Sequence, residues 1–426
     1  MIRTSPRVWR DALVAVVVGF VVMAAVAAAG LACAGAGGLP DGAFPRVVAA
    51  VVVMAAGGAV EVSGGAGFLA EADASLSVLP LSVALAGALT TGAVFLRPLH
   101  NRAVAGPTEL LLRAARLTVL WLLALLGLAL LARKDFGLTR GDSAPGEIGE
   151  VGDLGEIGDL LDSAPTVGFR ADLPATLFFG LLWILGLLLI SLLVSRRAPL
   201  PAGLVRFHAA VRPAAFATTL LLLAYVVLGL GVGVVVALTQ GHADRTLAVL
   251  LLGLPNLVWP ALTLGFGGAW RGRAEGPFGL PMPRLLDEAL RGPELSTVDV
   301  ASLAERDARA WWLVPVAAVL LLGAGVLAAV RSPVHVRPRQ HALHLAVALA
   351  LGTLTVCLPA HVQAQFGLSL LGIGAGDALG GTVAFTPVLL RTVGLALLWG
   401  AVAGFLGALS ARPLRRRVPA EAPDRS

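Results

Sequence analysis

Residues 247–270 have the sequence LAVLLLGLPNLVWPALTLGFGGAW, and this stretch decides how the chain can be arranged in a membrane. It is long enough to cross a bilayer, but Pro255, Asn256 and Pro260 interrupt it and a glycine pair follows. A proline removes a backbone donor and clashes with the preceding turn, so the freed carbonyl groups need partners from protein or water. We therefore expect a broken helix that is surrounded by protein.

The composition predicts an all-α, polytopic integral membrane protein. Hydrophobic residues make up 57% of the chain, charged residues 14%, and the mean hydropathy is +0.86, which leaves too few polar residues to cover a soluble surface. The expected partner is thus the lipid bilayer. The net charge of +6 comes from arginine, with Lys134 as the only lysine. We interpret this basicity as an orientation signal in the loops and not as a nucleic-acid-binding surface.

Arginine positions favour eight crossings over ten. If every apolar run crossed, the arginine-bearing loops 97–102 and 195–212 would lie outside, against the positive-inside rule. The conflict disappears if 47–60 and 247–270 are re-entrant, because both termini and these loops then lie on the cytoplasmic side of the plasma membrane. The ten runs cover about residues 12–33, 47–60, 77–96, 115–132, 174–194, 215–238, 247–270, 312–330, 342–360 and 385–409.

With this topology the two halves follow the same plan, so we expect a parallel tandem repeat of 1–212 and 213–417, followed by a cytoplasmic tail, 418–426. One constant spacing relates Pro80 to Pro315, Pro98 to Pro333, His100 to His335 and Arg102 to Arg337. We also expect Arg46 to correspond to Arg245, and Gly64-Gly65-Ala66 to correspond to Gly267-Gly268-Ala269.

Two long connections differ in character. The outer loop 134–172 includes DSAPGEIGEVGDLGEIGDLLDSAP at 142–165, which has too few apolar residues for a core, so disorder is expected. Its acids could bind calcium, but their spacing is not that of a helix-loop-helix calcium loop. The loop 271–310 contains an amphipathic stretch at 283–292, which predicts a helix lying in the membrane interface.

Four polar residues stand at or near membrane depth, namely Glu61, Asn256, Asp377 and Arg391. A charged group there costs about 2.5 to 3.5 kcal/mol on insertion scales, so each needs a partner or water. In one interpretation Glu61 and Arg391 face a polar site between the halves. In the other, Arg391 and Asp377 reach the outer interface and Glu61 lies in a loop. The expected backbone breaks are Gly64, Gly65, Pro255, Pro260, Gly267 and Gly268.

The sequence contains no catalytic signature. His-Glu-x-x-His, Gly-x-Ser-x-Gly and phosphate-loop motifs do not occur, so we predict no enzyme, no metal and no cofactor. Cys33 and Cys357 exclude a disulfide framework. They can form one bridge or be two small apolar residues, and the second interpretation is favoured.

The N-terminal segments RVWRDAL, GLPDGAFPRVVAAVV, LPLSVALAGAL and FLRPLHNRAVAG, with the C-terminal GGTVAFTPVLLRTVGLALLWGAVAGFLGALSAR, resemble the streptophobe family of very hydrophobic actinobacterial proteins. That resemblance implies an integral membrane location and no known activity. GLPNLVWPALTLGFG followed by GPFGLPMP is distantly similar to the PerM-type, cell-division-associated membrane family. Neither resemblance supplies catalytic residues.

Two functions are compatible with these features. The first is a non-enzymatic envelope or assembly protein that acts through protein partners, favoured because no coupling-ion or catalytic signature is present. The alternative is a permease-like carrier with its site between the halves, for which the sequence indicates no particular small-molecule substrate.

Overall fold

The computed structural model describes residues 6–38, 42–58, 60–66, 70–77, 79–101, 107–132, 134–137, 166–195, 202–239, 241, 243–274, 296–333, 336–370, 373–374 and 381–411. The elements of the first half are α1 (Pro6–Cys33), α2 (Phe44–Ala55), β1 (Val60–Ala66), β2 (Ala70–Ser77), α3 (Leu81–Asn101), α4 (Pro107–Leu131), β3 (Lys134–Gly137), β4 (Thr166–Ala171) and α5 (Leu173–Val194). A single 3₁₀ turn, Ala36–Gly38, precedes α2.

The second half contains α6 (Ala202–Thr239), α7 (Ala243–Gly265), β5 (Trp270–Ala274), β6 (Ser296–Val298), α8 (Val300–Arg306), a 3₁₀ turn (Ala308–Trp312), α9 (Leu313–Arg331), α10 (Pro338–Ala360), β7 (Val362–Leu370), β8 (Ile373–Gly374), β9 (Gly381–Pro387) and α11 (Leu389–Ser410). The chain passes between the halves in the α5–α6 connection. The predicted boundary at 212 lies inside α6, which continues through Pro213.

Eight of the described helices are long and apolar enough to cross a membrane, which confirms the predicted polytopic helical class. That criterion, which uses length and hydropathy only, includes α7 and leaves out α3, whose apolar stretch Leu81–Arg97 is shorter. Connectivity gives a further constraint on which helices cross.

All nine described strands form one antiparallel sheet, which the sequence analysis did not predict. Its order is β3-β4-β1-β2-β7-β9-β5-β6, with β8 paired to β7. The signal was present: β2 is AEADASLS and β7 is VQAQFGLSL, and both alternate apolar and polar residues with the period of a strand. Alanine, glycine and serine are weak strand formers, so the pairing between strands compensates for low propensity.

The sheet bears on the membrane topology of α7. A sheet with open edges does not occur within the hydrocarbon, so all strands lie on one side of the membrane. Because α5, α6 and α7 connect β4 to β5, one of these three helices must return to its own side. In the middle of α7, Leu250 contacts Ser82 in the first turn of α3, and after α7 ends, Ala269 accepts a hydrogen bond from Val388 beside α11. The predicted re-entrant arrangement of α7 is compatible with this connectivity and stays a prediction, since α7 is also long and apolar enough to cross.

The first predicted re-entrant run, 47–60, lies mainly in α2. This helix has 12 residues, against about 20 that a crossing requires. It packs against α1, α3, α4 and β4, so it also stays near the sheet. In the predicted topology the eight crossing helices are α1, α3, α4, α5, α6, α9, α10 and α11, whereas length and hydropathy alone select α7 in place of α3. The predicted topology also places the start of α1 and the end of α11 on the face opposite the sheet.

Two predicted loops are partly ordered. The ends of the loop 134–172 form β3 and β4, so disorder was wrong there, because both ends pair in the sheet. In the loop 271–310 the structure has β5, β6, α8 and a 3₁₀ turn, while the predicted interfacial helix 283–292 lies outside the described residues. The acidic stretch 142–165 and the tail 418–426 also lie outside them.

The two halves have the same element order and the same strand order, which supports the predicted tandem repeat. Each half runs a long helix, a second helix that ends in a Gly-Gly turn, two strands, two long helices, further strands and a last long helix. Within the sheet, β3-β4-β1-β2 corresponds to β7-β9-β5-β6, position by position. Each helix pair that packs together in the first half has an equivalent pair in the second half.

Sequence and strand register agree on this equivalence. Residues 169–183, FRADLPATLFFGLLW, align with 385–399, FTPVLLRTVGLALLW. In the first half Val60 pairs with Ala171, and in the second half Trp270 pairs with Pro387. The same alignment therefore holds in the chain and in the sheet.

Small residues allow close packing of α9, α10 and α11. A Cβ atom at Gly407 would lie 2.2 Å from the backbone carbon of Gly325, and one at Gly404 would lie 2.7 Å from the carbonyl oxygen of His341. In a membrane, where lipid tails are as apolar as the side chains, such close backbone contact is a main source of helix association.

Candidate functional site at the junction of the two halves

Helix α7 lies at the junction of the two halves. It packs against α1 and α3 of the first half and against α6, α9 and α10 of the second half. Gly30 of α1 leaves space for α7, since a Cβ atom there would lie 2.7 Å from the side chain of Leu252. The junction is thus built around the broken stretch from which the sequence analysis began.

The break in α7 is held by a hydroxyl from the other half. Gly253 has a non-helical backbone (φ −136°, ψ 16°). Across it, the Ser82 hydroxyl donates to the carbonyl of Leu250 (2.8 Å) and accepts from the amide of Leu254 (3.0 Å). These two groups would bond each other in a regular α-helix. Ser82 therefore inserts into the hydrogen-bond ladder of α7 and satisfies both freed groups.

Asn256 ties the same segment to the start of α3. Its Oδ1 accepts from the backbone amide of Leu81 (3.2 Å), and its Nδ2 donates to the carbonyl of Leu79 (3.0 Å). The first amides of a helix have no intrahelical partner, so Asn256 caps α3 from another part of the chain. These two bonds use the side-chain amide for structure.

The C-terminal end of α7 closes in a Schellman motif. The amide of Gly268 bonds to the carbonyl of Thr263 and the amide of Gly267 bonds to that of Leu264, both at 2.8 Å, while Gly267 has φ +93°. The break predicted at Gly267 and Gly268 is thus a helix end that turns the chain into β5.

The end of α2 has the same motif. Gly57 has φ +95° and bonds to Met54, and Gly58 bonds to Val53. The neighbours correspond too: a Cβ at Gly57 would meet Phe179 and one at Gly267 would meet Leu395, which are equivalent positions of α5 and α11.

This equivalence corrects two predicted correspondences. Gly267-Gly268-Ala269 matches Gly57-Gly58-Ala59 and not Gly64-Gly65-Ala66, because Gly64 and Gly65 lie inside β1 and pair with β2 and β4. At the same spacing Pro45 matches Pro255, so Arg46 corresponds to Asn256 and not to Arg245. Gly64 and Gly65 are therefore strand residues and not a break.

Buried aromatic residues fix the turn after α7. Trp270 Nε1 donates to the Thr263 hydroxyl, which donates to the carbonyl of Pro260, each at 2.8 Å. The Trp270 ring stacks on Phe385 with a centroid distance of 4.6 Å. From α11, Trp399 Nε1 donates to the carbonyl of Phe266 (3.0 Å). The turn after Pro260 is thus held by hydrogen bonds and ring stacking within the protein.

Arg391 lies at the sheet end of α11. Its Nε donates to the carbonyl of Gly267 (3.2 Å), and its Nη2 is 3.5 Å from Oδ2 of Asp299. The side chain is 46% exposed. Asp299 also caps α8 by accepting from the amide of Ser302 (3.0 Å). This position agrees with the interpretation in which Arg391 reaches the interface.

The remaining two polar residues are not brought to the junction. Glu61 lies in β1, where its register partners are Ser75 and Arg170, and β1 is part of the sheet. Asp377 lies outside the described residues. Of the four predicted residues, only Asn256 is at the junction, while Arg391 lies beside the end of α7.

Chemically, this arrangement stabilises structure. Within the described residues, no three His, Cys, Asp or Glu side chains form a group that could hold a metal ion. Cys33 and Cys357 are free thiols. The sequence analysis missed Ser82, Asp299 and the Gly57-Gly58 pair. Of these, only the Gly57-Gly58 pair could have been found from the sequence. Its signal is the Gly-Gly-Ala tripeptide, which follows a proline at the same distance in both halves.

Comparisons with protein-family models, with curated proteins and with solved structures find no match for this chain.

Proposed function

We propose that this protein is a non-enzymatic scaffold of the plasma membrane, which presents its sheet to protein partners of the cell envelope. The observation that carries this proposal is the single sheet to which both halves contribute. Every described strand except β8 is joined to a neighbouring helix by a short connection. A broad, membrane-anchored backbone surface of this kind is suited to assembly with other proteins.

The junction argues against the permease-like alternative. A carrier built from two repeats works by moving one repeat against the other. Here β2 and β7 pair from Ala70 with Leu370 to Ser77 with Gln363, and this ladder joins the halves. Rocking would have to break the ladder together with the bonds that Asn256 and Ser82 make across the junction.

The charge distribution supports an orientation in which the sheet is outside and both termini are cytoplasmic. Of all acidic residues, only Asp11, Glu109, Glu421 and Asp424 belong to helix ends or segments opposite the sheet. Arginines cluster in the same segments, for example at 195–212 and 412–417. An excess of arginine on one side is the usual mark of the cytoplasmic side.

The scaffold is tested by locking the two halves together. Ala74 pairs with Phe366 and Ser75 with Gln365, and adjacent pairs of an antiparallel ladder alternate between narrow and wide Cα spacing. Two variants, each with cysteines at both positions of one pair, therefore test both spacings. Both variants are made in a chain with Cys33→Ser and Cys357→Ala. In cells that depend on this gene, we expect the oxidised, disulfide-locked protein to remain functional. Loss of function on oxidation with recovery on reduction would contradict the scaffold and favour a carrier.

A second experiment uses the two charged residues of the carrier hypothesis. Glu61→Gln removes charge with almost no change in size, and Arg391→Gln replaces the charged group with a shorter polar one. The scaffold predicts normal complementation at normal abundance for both variants. A carrier whose site uses these groups predicts loss of uptake at unchanged abundance.

The resemblance to the streptophobe family remains a prediction that agrees with a membrane protein without enzymatic activity.

A further inference from the structure

The two edge strands of the sheet each have an equivalent strand inside the chain, and those two equivalents pair with each other. Among the described strands, β3 and β6 each have a neighbour on one side only. We propose that β6 of one copy of this protein pairs with β3 of a second copy, so that the sheet continues from molecule to molecule. This inference does not depend on the proposed function.

The internal junction shows that the two edges are complementary. The strand order makes β6 the equivalent of β2 and β3 the equivalent of β7. Inside the chain, β2 and β7 form the antiparallel ladder that joins the halves. The proposed contact repeats this ladder between two copies. In it, β6 of one copy takes the place of β2, and β3 of the next copy takes the place of β7.

The repeat also gives the register. Val60 pairs with Leu76 and Trp270 with Val298, so Val298 corresponds to Leu76. Likewise Phe169 pairs with Lys134 and Phe385 with Val362, so Lys134 corresponds to Val362.

Inside the chain, Ser75 pairs with Gln365. By the same correspondences, Ser75 is equivalent to Thr297 and Gln365 to Gly137. The proposed ladder therefore places Thr297 of one copy opposite Gly137 of the next.

The helices can pack between two copies in the way that they pack across the internal junction. Across the internal junction α5 packs against α6. Their equivalents are α11 and α1, so α11 of one copy would meet α1 of the next. Both helices carry exposed apolar side chains, such as Leu390 and Leu398 on α11 and Val17 and Val21 on α1. The membrane layer therefore presents no charged barrier at these positions.

Open strand edges expose unpaired backbone groups and readily pair with another chain. Since β6 and β3 are different edges, their contact is head-to-tail, and such contacts generate closed rings or open filaments. A ring would remove the open edges that a single copy leaves.

The test uses two single-cysteine chains in the full-length Cys33→Ser, Cys357→Ala background. One carries Thr297→Cys and one epitope tag; the other carries Gly137→Cys and a second tag. After co-expression and oxidation in membranes, we expect a disulfide-linked dimer that carries both tags. Asp135→Cys is the matched control, two residues out of register on the same strand. Its yield with Thr297→Cys should be about tenfold lower, because disulfides require Cα atoms within about 7 Å.

Three cross-linking outcomes would overturn the proposal. Dimers from Thr297→Cys chains alone, without mixed dimers, would indicate that identical edges pair. A cross-link within one chain that carries both cysteines, without mixed dimers, would indicate that the sheet closes on itself. Equal yields for Gly137→Cys and Asp135→Cys would indicate random collision. Photobleaching of the otherwise unsubstituted, fluorophore-tagged protein in membranes provides a readout independent of cysteine variants. Two or more steps per particle support the proposal and single steps overturn it.

Discussion

The side chain of Asn256 caps helix α3 through the backbone amide of Leu81, although the two residues belong to different halves of the chain. A residue that looked like part of a polar transport site is therefore a structural link. Together with Ser82, it holds the broken helix α7 between the halves. The stability of the junction should depend on these few hydrogen bonds, because lipid offers no alternative partners.

Asn256→Ala should lower the free energy of unfolding by about 1 to 3 kcal/mol, since it leaves the amide of Leu81 and the carbonyl of Leu79 without this partner. Asn256→Asp retains an acceptor and should cost less than the alanine variant. Thermal unfolding in detergent measures the difference. Gln340→Ala is the control, because Gln340 accepts from the amide of Arg337 at an exposed helix start, where water replaces it. Equal effects of Asn256→Ala and Gln340→Ala would refute the cap.

Ser82→Ala should destabilise the protein by about 1 kcal/mol, because the groups on both sides of the Gly253 kink lose their shared partner. Ser410→Ala serves as the control, since the Ser410 hydroxyl bonds within its own helix to Leu406. Hydrogen exchange of the Leu254 amide provides a local readout. Unchanged protection of this amide in Ser82→Ala would show that α7 closes its own ladder and does not need Ser82.

Gly407→Ala should reduce folded abundance and melting temperature, because the new methyl group would lie 2.2 Å from the backbone of Gly325. Gly394→Ala, in the same helix, is the matched control, since no atom lies within 4 Å of its added Cβ. Alanine has the higher helix propensity, so the control should be neutral or slightly stabilising. Similar melting temperatures for both variants would exclude tight α9–α11 packing as a determinant of stability.

Orientation can be read from two exposed positions. In the cysteine-free background, Thr297→Cys lies in the sheet and Gln340→Cys lies at the opposite face, where α10 begins. A maleimide that does not cross membranes should label Thr297→Cys in intact cells. It should label Gln340→Cys only after permeabilisation. The reverse pattern would place the sheet in the cytoplasm and exclude envelope partners on that face.

The amino-acid sequence by itself determined the membrane class, which the eight long apolar helices confirm, while the eight crossings and the two re-entrant segments stay predictions. The reason is physical: a bilayer requires about 20 apolar residues per crossing, and the positive-inside rule limits where arginine can lie. The tandem repeat was also visible, but its alignment was displaced. The Gly-Gly-Ala triplets at 57–59, 64–66 and 267–269 are easy to confuse in a chain with 51 glycines.

Only the tertiary structure decided what the polar residues do. Strand pairing depends on partners far apart in the chain, and the short alternating strands were hidden between long apolar runs. Ser82 became a partner of α7 because folding brings the start of α3 to the kink, which no local pattern reveals. The same holds for the correct match of Gly57 with Gly267. Similar φ angles, the same hydrogen-bond pattern and equivalent neighbours established that match, and these exist only once the helices have packed.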